Sequence, residues 1–492
     1  MTDSLAPALA LASSRLSPPP TPARSAVIHG VVLAAWVTLF VLAFRQGGVF
    51  AWSVGLAYIA YDTVLQAFVG WQTWRLLRPA AVPASEGERC TMTVIVAAHN
   101  EAAVLPATIA ALLAQTDGAD EIVIADDGSS DVTGAVLGDR YAFAAPALGA
   151  ESTVRDGATS LVWLRLPHGG KARALNAAIL RTRTDIVVTV DGDTLLDPRA
   201  LAALRRAFSA EPALAGVTGV ITPVCRPTLA GRCLEWFQTY EYIRNFLSRY
   251  AWMNLDSLLL VSGAFAGFRR AAVVEVGGFD PACLVEDYEL IHRLRRHAVD
   301  HGLDWRFRVL GDAQARTEAP GSVGAFLRQR RRWFGGFLQT QYWYRAMVGD
   351  RRHGWLGLLM LPVKAVDTLQ PLYGLTAFAL LVVYAAIGRL DVIAPVAGVI
   401  GAKIAIDLAF HLWSVHLYRR WVDDAQRASF GSALLAALAE PFTFQLLRHT
   451  GALLGWVSFL TGSRRWGRQT RFGLDVVEAD GAAAAELTDR SR

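Results

Sequence analysis

Four long apolar stretches limit what this chain can fold into. Ala26 to Phe44 and Val49 to Val69 lie near the N-terminus, and about Val366 to Ile387 and Val392 to Leu417 lie in the last third. Each runs to about 20 residues, the length that crosses a bilayer as a helix. Inside a bilayer the backbone must satisfy its own polar groups, so these stretches are expected to be helices. Asp62 is the single charge of the second stretch. Trp71, Trp74, Arg75 and Arg78 follow it, an aromatic and basic flank that reads as a cytoplasmic boundary. Arg419-Arg420, after the fourth stretch, reads the same way. The alternative for the first pair is a buried hairpin of a soluble fold.

The other parts of the two ends are less defined. Met1 to Arg24 is rich in Ala, Ser and Pro and reads as a disordered tail. Trp355 to Val363 is short and is expected to lie in the membrane interface. Ser429 to Leu460 carries Glu440-Pro441 and Arg448-His449 in its middle, and Arg464, Arg465, Arg468 and Arg471 follow. A single crossing would leave that basic cluster outside, so a re-entrant pair, a hairpin or an interfacial helix is expected. The organisation that results is residues 1–25 as a tail, 26–74 as two transmembrane helices, 91–345 as a cytosolic domain, 354–462 as interfacial and transmembrane helices, and 463–492 as a basic then polar tail. The net charge of +5 belongs largely to these flanks. It points to anionic headgroups and an anionic nucleotide rather than to nucleic acid. The four cysteines form no CxxC pair, which argues against a zinc site and fits a reducing compartment.

From Thr91 the periodicity changes. Met92 to Ala98, Glu121 to Ala125, Leu161 to Leu166 and Ile186 to Val190 are short β-branched runs with helical patterns between them, the signature of a mostly parallel α/β sheet. Tyr141 to Gly157 reads as a variable loop. Polar clusters follow the strands: Asp126-Asp127-Gly128-Ser129 after the second, His168-Gly169-Gly170-Lys171 after the third, Asp191-Gly192-Asp193 after the fourth. Ligands bind at such strand ends in open α/β sheets. Two carboxylates one residue apart offer hard oxygen ligands to Mg²⁺ or Mn²⁺, and the ion can hold a diphosphate. Gly192 lets the backbone turn and approach a ligand closely. The alternative is a polar turn that caps the helix begun by Asp197-Pro198. Lys171 opens a helix after two glycines, a setting that favours phosphate. Gly231 to Met253 is an aromatic-rich helix, and Phe326 to Tyr344 contains Gln329-Arg330-Arg331-Arg332-Trp333.

Taken in order, Asp126-Asp127-Gly128-Ser129, Asp191-Gly192-Asp193, Glu286-Asp287 and Gln329-Arg330-Arg331-Arg332-Trp333 resemble the motifs of membrane-embedded glycosyltransferases of family 2. That group includes cellulose, chitin, hyaluronan and poly-N-acetylglucosamine synthases. The last motif matches the QxxRW signature of the processive branch, and His168 to Asn176 is similar to its GGKAxALN segment. The likeness covers about Met92 to Trp333. It implies a GT-A type nucleotide-sugar-binding domain inserted between transmembrane helices. It also implies roles. Asp127 would accept a hydrogen bond from the uracil or ribose, and Lys171 and Gln329 would contact the nucleotide sugar. Asp193 would bind the metal, with Asp191 at the metal or the ribose. Asp287 would be the general base that takes the proton of the acceptor hydroxyl. Arg332 would hold the diphosphate. Glu286 and Trp333 would face the acceptor, Trp333 by stacking on a sugar ring. Arg330 and Arg331 are expected to face phosphate or lipid headgroups.

The function that follows is inverting transfer of a hexose or N-acetylhexosamine from a UDP-sugar to a growing polysaccharide, processive and β-linked, with Mg²⁺ or Mn²⁺. The acceptor is a polysaccharide or glycolipid. Membrane lipids and a small accessory membrane subunit are the other expected partners. The enzyme would sit in the cell membrane with its catalytic domain in the cytoplasm. Two alternatives stay open: a single addition to a lipid acceptor, and a non-enzymatic scaffold or transporter with a degenerate sugar-nucleotide domain.

Overall fold

A computed structural model describes residues 4–78, 88–422 and 429–462. The tail expected over 463–492 lies outside the described residues, as does its basic cluster.

Helix α1 (Ala6–Ala12) precedes two long helices, α2 (Ala23–Ala43) and α3 (Ser53–Gln72). The soluble domain then alternates strands and helices: β1 (Met92–Ala98), α4 (Leu105–Leu113), β2 (Glu121–Asp127), α5 (Thr133–Tyr141), β3 (Glu151–Asp156), β4 (Thr159–Leu166), α6 (Lys171–Arg181) and β5 (Ile186–Asp191). It continues through β6 (Thr194–Leu196), α7 (Ala200–Ala210), β7 (Leu214–Val224), α8 (Leu229–Met253), β8 (Phe265–Arg269), α9 (Arg270–Glu275), α10 (Glu286–His301), β9 (Arg306–Glu318) and α11 (Val323–Trp343). The chain ends in α12 (Leu361–Ala386), α13 (Leu390–Trp421), α14 (Phe430–Ala439) and α15 (Phe444–Leu460).

The sheet order is β3-β4-β2-β1-β5-β8-β7-β9-β6. Strands β4, β2, β1 and β5 run parallel, as do β7 and β9. The pairs β3–β4, β5–β8, β7–β8 and β6–β9 are antiparallel. The sheet is therefore mixed rather than mostly parallel, a correction to the expectation. The expected loop over 141–157 contains β3, which folds back on β4 as a hairpin. Its sequence, Glu-Ser-Thr-Val-Arg-Asp, has Val154 as its one apolar residue, which an edge strand tolerates, and this hid it. Alternate residues of the central strands face two cores. Val94, Val96, Ile122, Ile124, Val188 and Val190 pack on one side, and Ile95, Val123 and Val187 on the other. Helices cover both faces, which is why the central strands are apolar throughout.

Among the described residues, four helical segments are long and apolar enough to cross a membrane: Ala23–Ala43, Gly48–Gln72, Leu356–Ala386 and Leu390–Trp421. Phe430–Phe442 and Phe444–Leu460 form a pair bent by 51°, a broken span or a re-entrant loop. The residues expected to lie separately in the interface, 355–363, run on into α12 as one helical segment. The expected disorder of the N-terminal tail is also corrected. Leu5 and Leu9 are buried, and Arg15 forms a two-pronged ion pair with Asp280 at 2.7 and 2.9 Å. Tertiary contact orders a segment whose composition alone would leave it free.

Candidate active site

Register brings the polar clusters to one edge. Ala98 at the end of β1 lies beside Asp126 on β2, and Ala97 beside Asp191 on β5. Asp126-Asp127 and Asp191 therefore leave the sheet at the same side, as their positions after parallel strands require.

A cavity of about 680 Å³ opens there. Asp191, Asp193, Lys171, Glu286, Asp287, Gln329, Arg332 and Trp333 all line it, so one space gathers residues from four separate motifs. Lys171 Nζ lies 2.5 Å from Asp191 Oδ1 and 3.6 Å from Glu286 Oε1. Burial works to lower the pKa of Lys171, but the charges of Asp191 and Glu286 outweigh it and hold the ammonium above its ordinary range. Burial raises the pKa of Glu286; Lys171 opposes this and Asp287 adds to it. Asp287 is the second residue of α10, and its carboxylate is held from two sides. Oδ2 accepts the Gly263 N–H at 2.7 Å, and Oδ1 accepts the Tyr288 N–H at 2.8 Å.

The donor set fits a divalent cation. Asp191 and Asp193 present carboxylates to the same cavity, two hard ligands with room beside them for phosphate oxygens and water. Gly192 between them does not use a left-handed backbone. A Cβ there would lie 1.6 Å from Glu101 Oε2. The glycine thus makes room for Glu101, a role the sequence alone did not assign to it.

Asp127 is placed differently from the rest. Its two oxygens accept the N–H groups of Gly169 and Gly170 at 2.7 and 2.8 Å, and it is not among the residues that line the cavity. It anchors the loop that presents Lys171. His99 and His168 stack above it with ring centroids 4.3 Å apart. Their Nδ1 atoms lie 2.8 and 3.0 Å from the Asp127 carbonyl oxygen. With Asp127 they bring possible metal-ligand atoms within 4.8 Å of one another. Sequence reasoning missed this pair, since the two histidines lie 69 positions apart and meet only through the β1–β2–β4 register.

Arg330 does not face phosphate or headgroups, contrary to expectation. It makes a two-pronged pair with buried Glu241 at 2.8 and 2.6 Å, and its guanidinium lies over the Trp333 ring, 4.7 Å from the centroid. Arg448 of α15 reaches the same carboxylate at 3.2 Å. Glu241 thereby ties α8, α11 and α15 together at the cavity floor. Sequence reasoning also missed how far the cavity extends. Asp62, Lys364, Asp367, Gln370, Arg448 and His449, all from the apolar helices, share its wall. Their signal was present as isolated charges in apolar stretches, which are costly unless they face one another or a polar space.

Two family models match the chain. Residues 93–277 match "Glycosyl transferase family 2", and residues 186–390 match "Glycosyl transferase family group 2". The poly-beta-1,6-N-acetyl-D-glucosamine synthase of Staphylococcus aureus (strain COL) is 27% identical over 248 residues, 50% of this chain and 54% of that protein. The synthase of the same name from Staphylococcus epidermidis is 27% identical over 257 residues, 51% and 56% of the two chains. The chain thus spans about half the length of the curated relatives it matches. Among solved structures, a mannosyltransferase from Pyrobaculum calidifontis in complex with GDP-Man and Mn²⁺ superposes with a TM-score of 0.53 at 21% identity. It covers 80% of this chain and 99% of its own. That likeness carries the fold, a GT-A type domain flanked by long apolar helices.

Proposed function

We propose that the chain is a family 2 glycosyltransferase, a reading the two matching family models support, and that it transfers a hexose or N-acetylhexosamine from a nucleotide sugar to a growing glycan at the membrane. One observation carries this reading: the cavity that holds Asp191, Asp193, Asp287 and Arg332 is continuous with polar residues on the membrane helices, Asp62, Lys364, Asp367 and Arg448. A glycan has hydroxyls to satisfy along its whole length, and a polar wall among apolar helices provides for them. The synthases that the chain resembles make N-acetylglucosamine the first donor sugar to test, with UDP as its carrier.

The geometry supports a role for each residue. Asp287 takes the proton of the acceptor hydroxyl while that oxygen bonds to C1 of the donor sugar. The C1–oxygen bond to the diphosphate breaks on the opposite face, so the configuration inverts. The two backbone N–H groups on Asp287 hold the carboxylate in one orientation, which is what a positioned general base requires. Lys171 and Arg332 meet the charge that builds on the leaving diphosphate. Asp191 and Asp193 would hold Mg²⁺ or Mn²⁺, which supplies further positive charge to the diphosphate when bound. Asp127 holds the glycine loop and Lys171 at the edge of the nucleotide site. Gln329 would bond the nucleotide sugar, and Trp333 would stack on the acceptor. The catalytic domain faces the cytoplasm, where nucleotide sugars are made.

The test is nucleotide release by detergent-purified protein with Mg²⁺ or Mn²⁺, with UDP-N-acetylglucosamine, UDP-glucose, UDP-glucuronate and GDP-mannose in parallel and the product sized. Turnover of one donor into a long polymer is the expected result. A product extended by one sugar replaces the processive reading with a single transfer to a lipid acceptor. No release from any donor by folded protein overturns the transferase reading for these substrates.

A further inference from the structure

Most cations on the cavity wall are engaged by the chain itself. Lys171 holds Asp191 and Glu286, Arg330 and Arg448 share Glu241, and Lys364 holds Asp367 at 2.7 Å. Arg249 differs. It stands in the last turns of α8 and lines the same cavity. Its guanidinium lies over the Phe246 ring, 4.4 Å from the centroid, which restrains its orientation. Its Nε and Nη1 are shielded from solvent and have no acceptor among the described residues. Burial lowers its pKa to about 10, with Tyr242 and Asp287 acting the other way, so the group is charged at neutral pH. Arg249 and the proposed base Asp287 line the same cavity.

A shielded cation without an acceptor is unfavourable for a folded chain. The Phe246 ring accounts for one face of the guanidinium, but no ion pair among the described residues accounts for its charge, and an apolar residue of similar length would fill the space without one. An oxyanion that arrives with substrate removes the penalty, and guanidinium donors favour phosphate oxygens above other partners.

We propose that Arg249 is a substrate-anchoring residue that takes a phosphate oxygen of the bound substrate. The proposal rests on the transferase reading above. The phosphate has two sources, the diphosphate of the donor and the phosphate of a lipid-linked acceptor. In both cases Arg249 acts by positioning the reacting groups, while Asp287 handles the proton.

The experiment uses full-length protein in detergent with Arg249→Gln and Arg249→Lys. Three quantities are read: the melting temperature, the affinity for UDP and GDP in the presence of Mn²⁺, and the steady-state constants with a nucleotide sugar as donor and a polyprenyl phosphate as acceptor. Arg249→Gln is expected to melt at or above the wild-type temperature, because relief of the shielded charge offsets the lost contact with the Phe246 ring. It is expected to weaken nucleotide binding by about 10- to 100-fold, with Arg249→Lys between the two. Unchanged nucleotide affinity with a rise of about tenfold or more in the KM for polyprenyl phosphate supports the proposal and assigns the phosphate to the acceptor. Affinity and both KM values within about twofold of wild type overturn it. A Gln variant that melts well below wild type also overturns it, since that outcome reveals a structural partner. A wild-type protein that binds no nucleotide overturns the transferase reading, and this proposal falls with it.

Discussion

Asp287 shows how a motif residue becomes a chemical group. Glu286-Asp287 in sequence is only an acidic first turn, favourable at any helix N-terminus. In the structure the Gly263 N–H, 24 positions away, holds one oxygen and the Tyr288 N–H the other. Asp287→Asn is expected to lower donor turnover by about 10²- to 10⁴-fold. Its melting temperature should stay near wild type; turnover equal to wild type would remove Asp287 as the base. A second residue-scale prediction concerns His292, which is fully buried on α10 against Tyr288 and Tyr344. Burial lowers its pKa from 6.5 to about 4, and burial lowers His353 to about 4 as well. Both imidazoles gain a proton more readily in the unfolded chain. Stability is therefore complete above pH 6.5 and falls as the pH drops toward 4, by roughly 3 kcal/mol for His292 if it acts alone. Melting curves between pH 7 and 4.5 should show the decline, and His292→Gln should flatten it. An equal slope in both proteins would assign the effect to other groups.

At the scale of elements, the N-terminal segment ties the first long helix to the catalytic domain. Leu5 and Leu9 lie against Gly277-Gly278, where a Cβ on Gly277 would meet the Leu9 backbone nitrogen at 2.2 Å. Gly277 also has φ +86, so it serves both the turn and the close approach. Arg15 pairs with fully buried Asp280, and Arg296 of α10 donates to Ser14 at 2.7 Å. The segment therefore packs against α10, the helix that begins with Glu286 and Asp287. Arg15→Ala leaves a buried carboxylate without its cation, which typically costs about 3 kcal/mol or more. The Arg15 side chain is 25% exposed, so a loss of roughly 2–3 kcal/mol in a melting experiment is expected. Combining it with Asp280→Asn should cost less than the sum of the two single changes. Strict additivity would mean that the pair does not interact. This element was illegible because its Ala, Pro and Ser composition carries no periodicity, and its partner lies some 270 positions away. The edge strand β3 was missed for a related reason, since its stability comes from β4 and not from its own apolar content.

In the whole molecule, catalytic domain and membrane helices form one unit around the cavity. Glu241 joins α8 to Arg330 of α11 and Arg448 of α15, and Glu440 receives Arg244 of α8 at 2.6 Å. The orientation of this unit can be tested with Cys233, which is exposed while Cys225 and Cys283 are buried. A membrane-impermeant maleimide should label Cys233 in inverted vesicles and not in intact cells; the reverse pattern would place the catalytic domain outside. The apolar stretches, the central strands and the order of the acidic motifs were all legible in the chain. Each depends on local rules: the thickness of a bilayer, the alternation of side chains on a strand, and the chemistry of carboxylates and glycines at strand ends. The sequence by itself thus determined the layers of this protein and which residue types stand at its ligand edge. The tertiary structure alone decided how those residues are used. It turned Asp127 to its glycine loop, paired Arg330 with Glu241, left Nε and Nη1 of Arg249 without an acceptor among the described residues and carried the cavity down to Asp62 and Lys364. The physical reason is that a charge is assigned by what lies within about 4 Å of it, and those neighbours come from elements far apart in the chain.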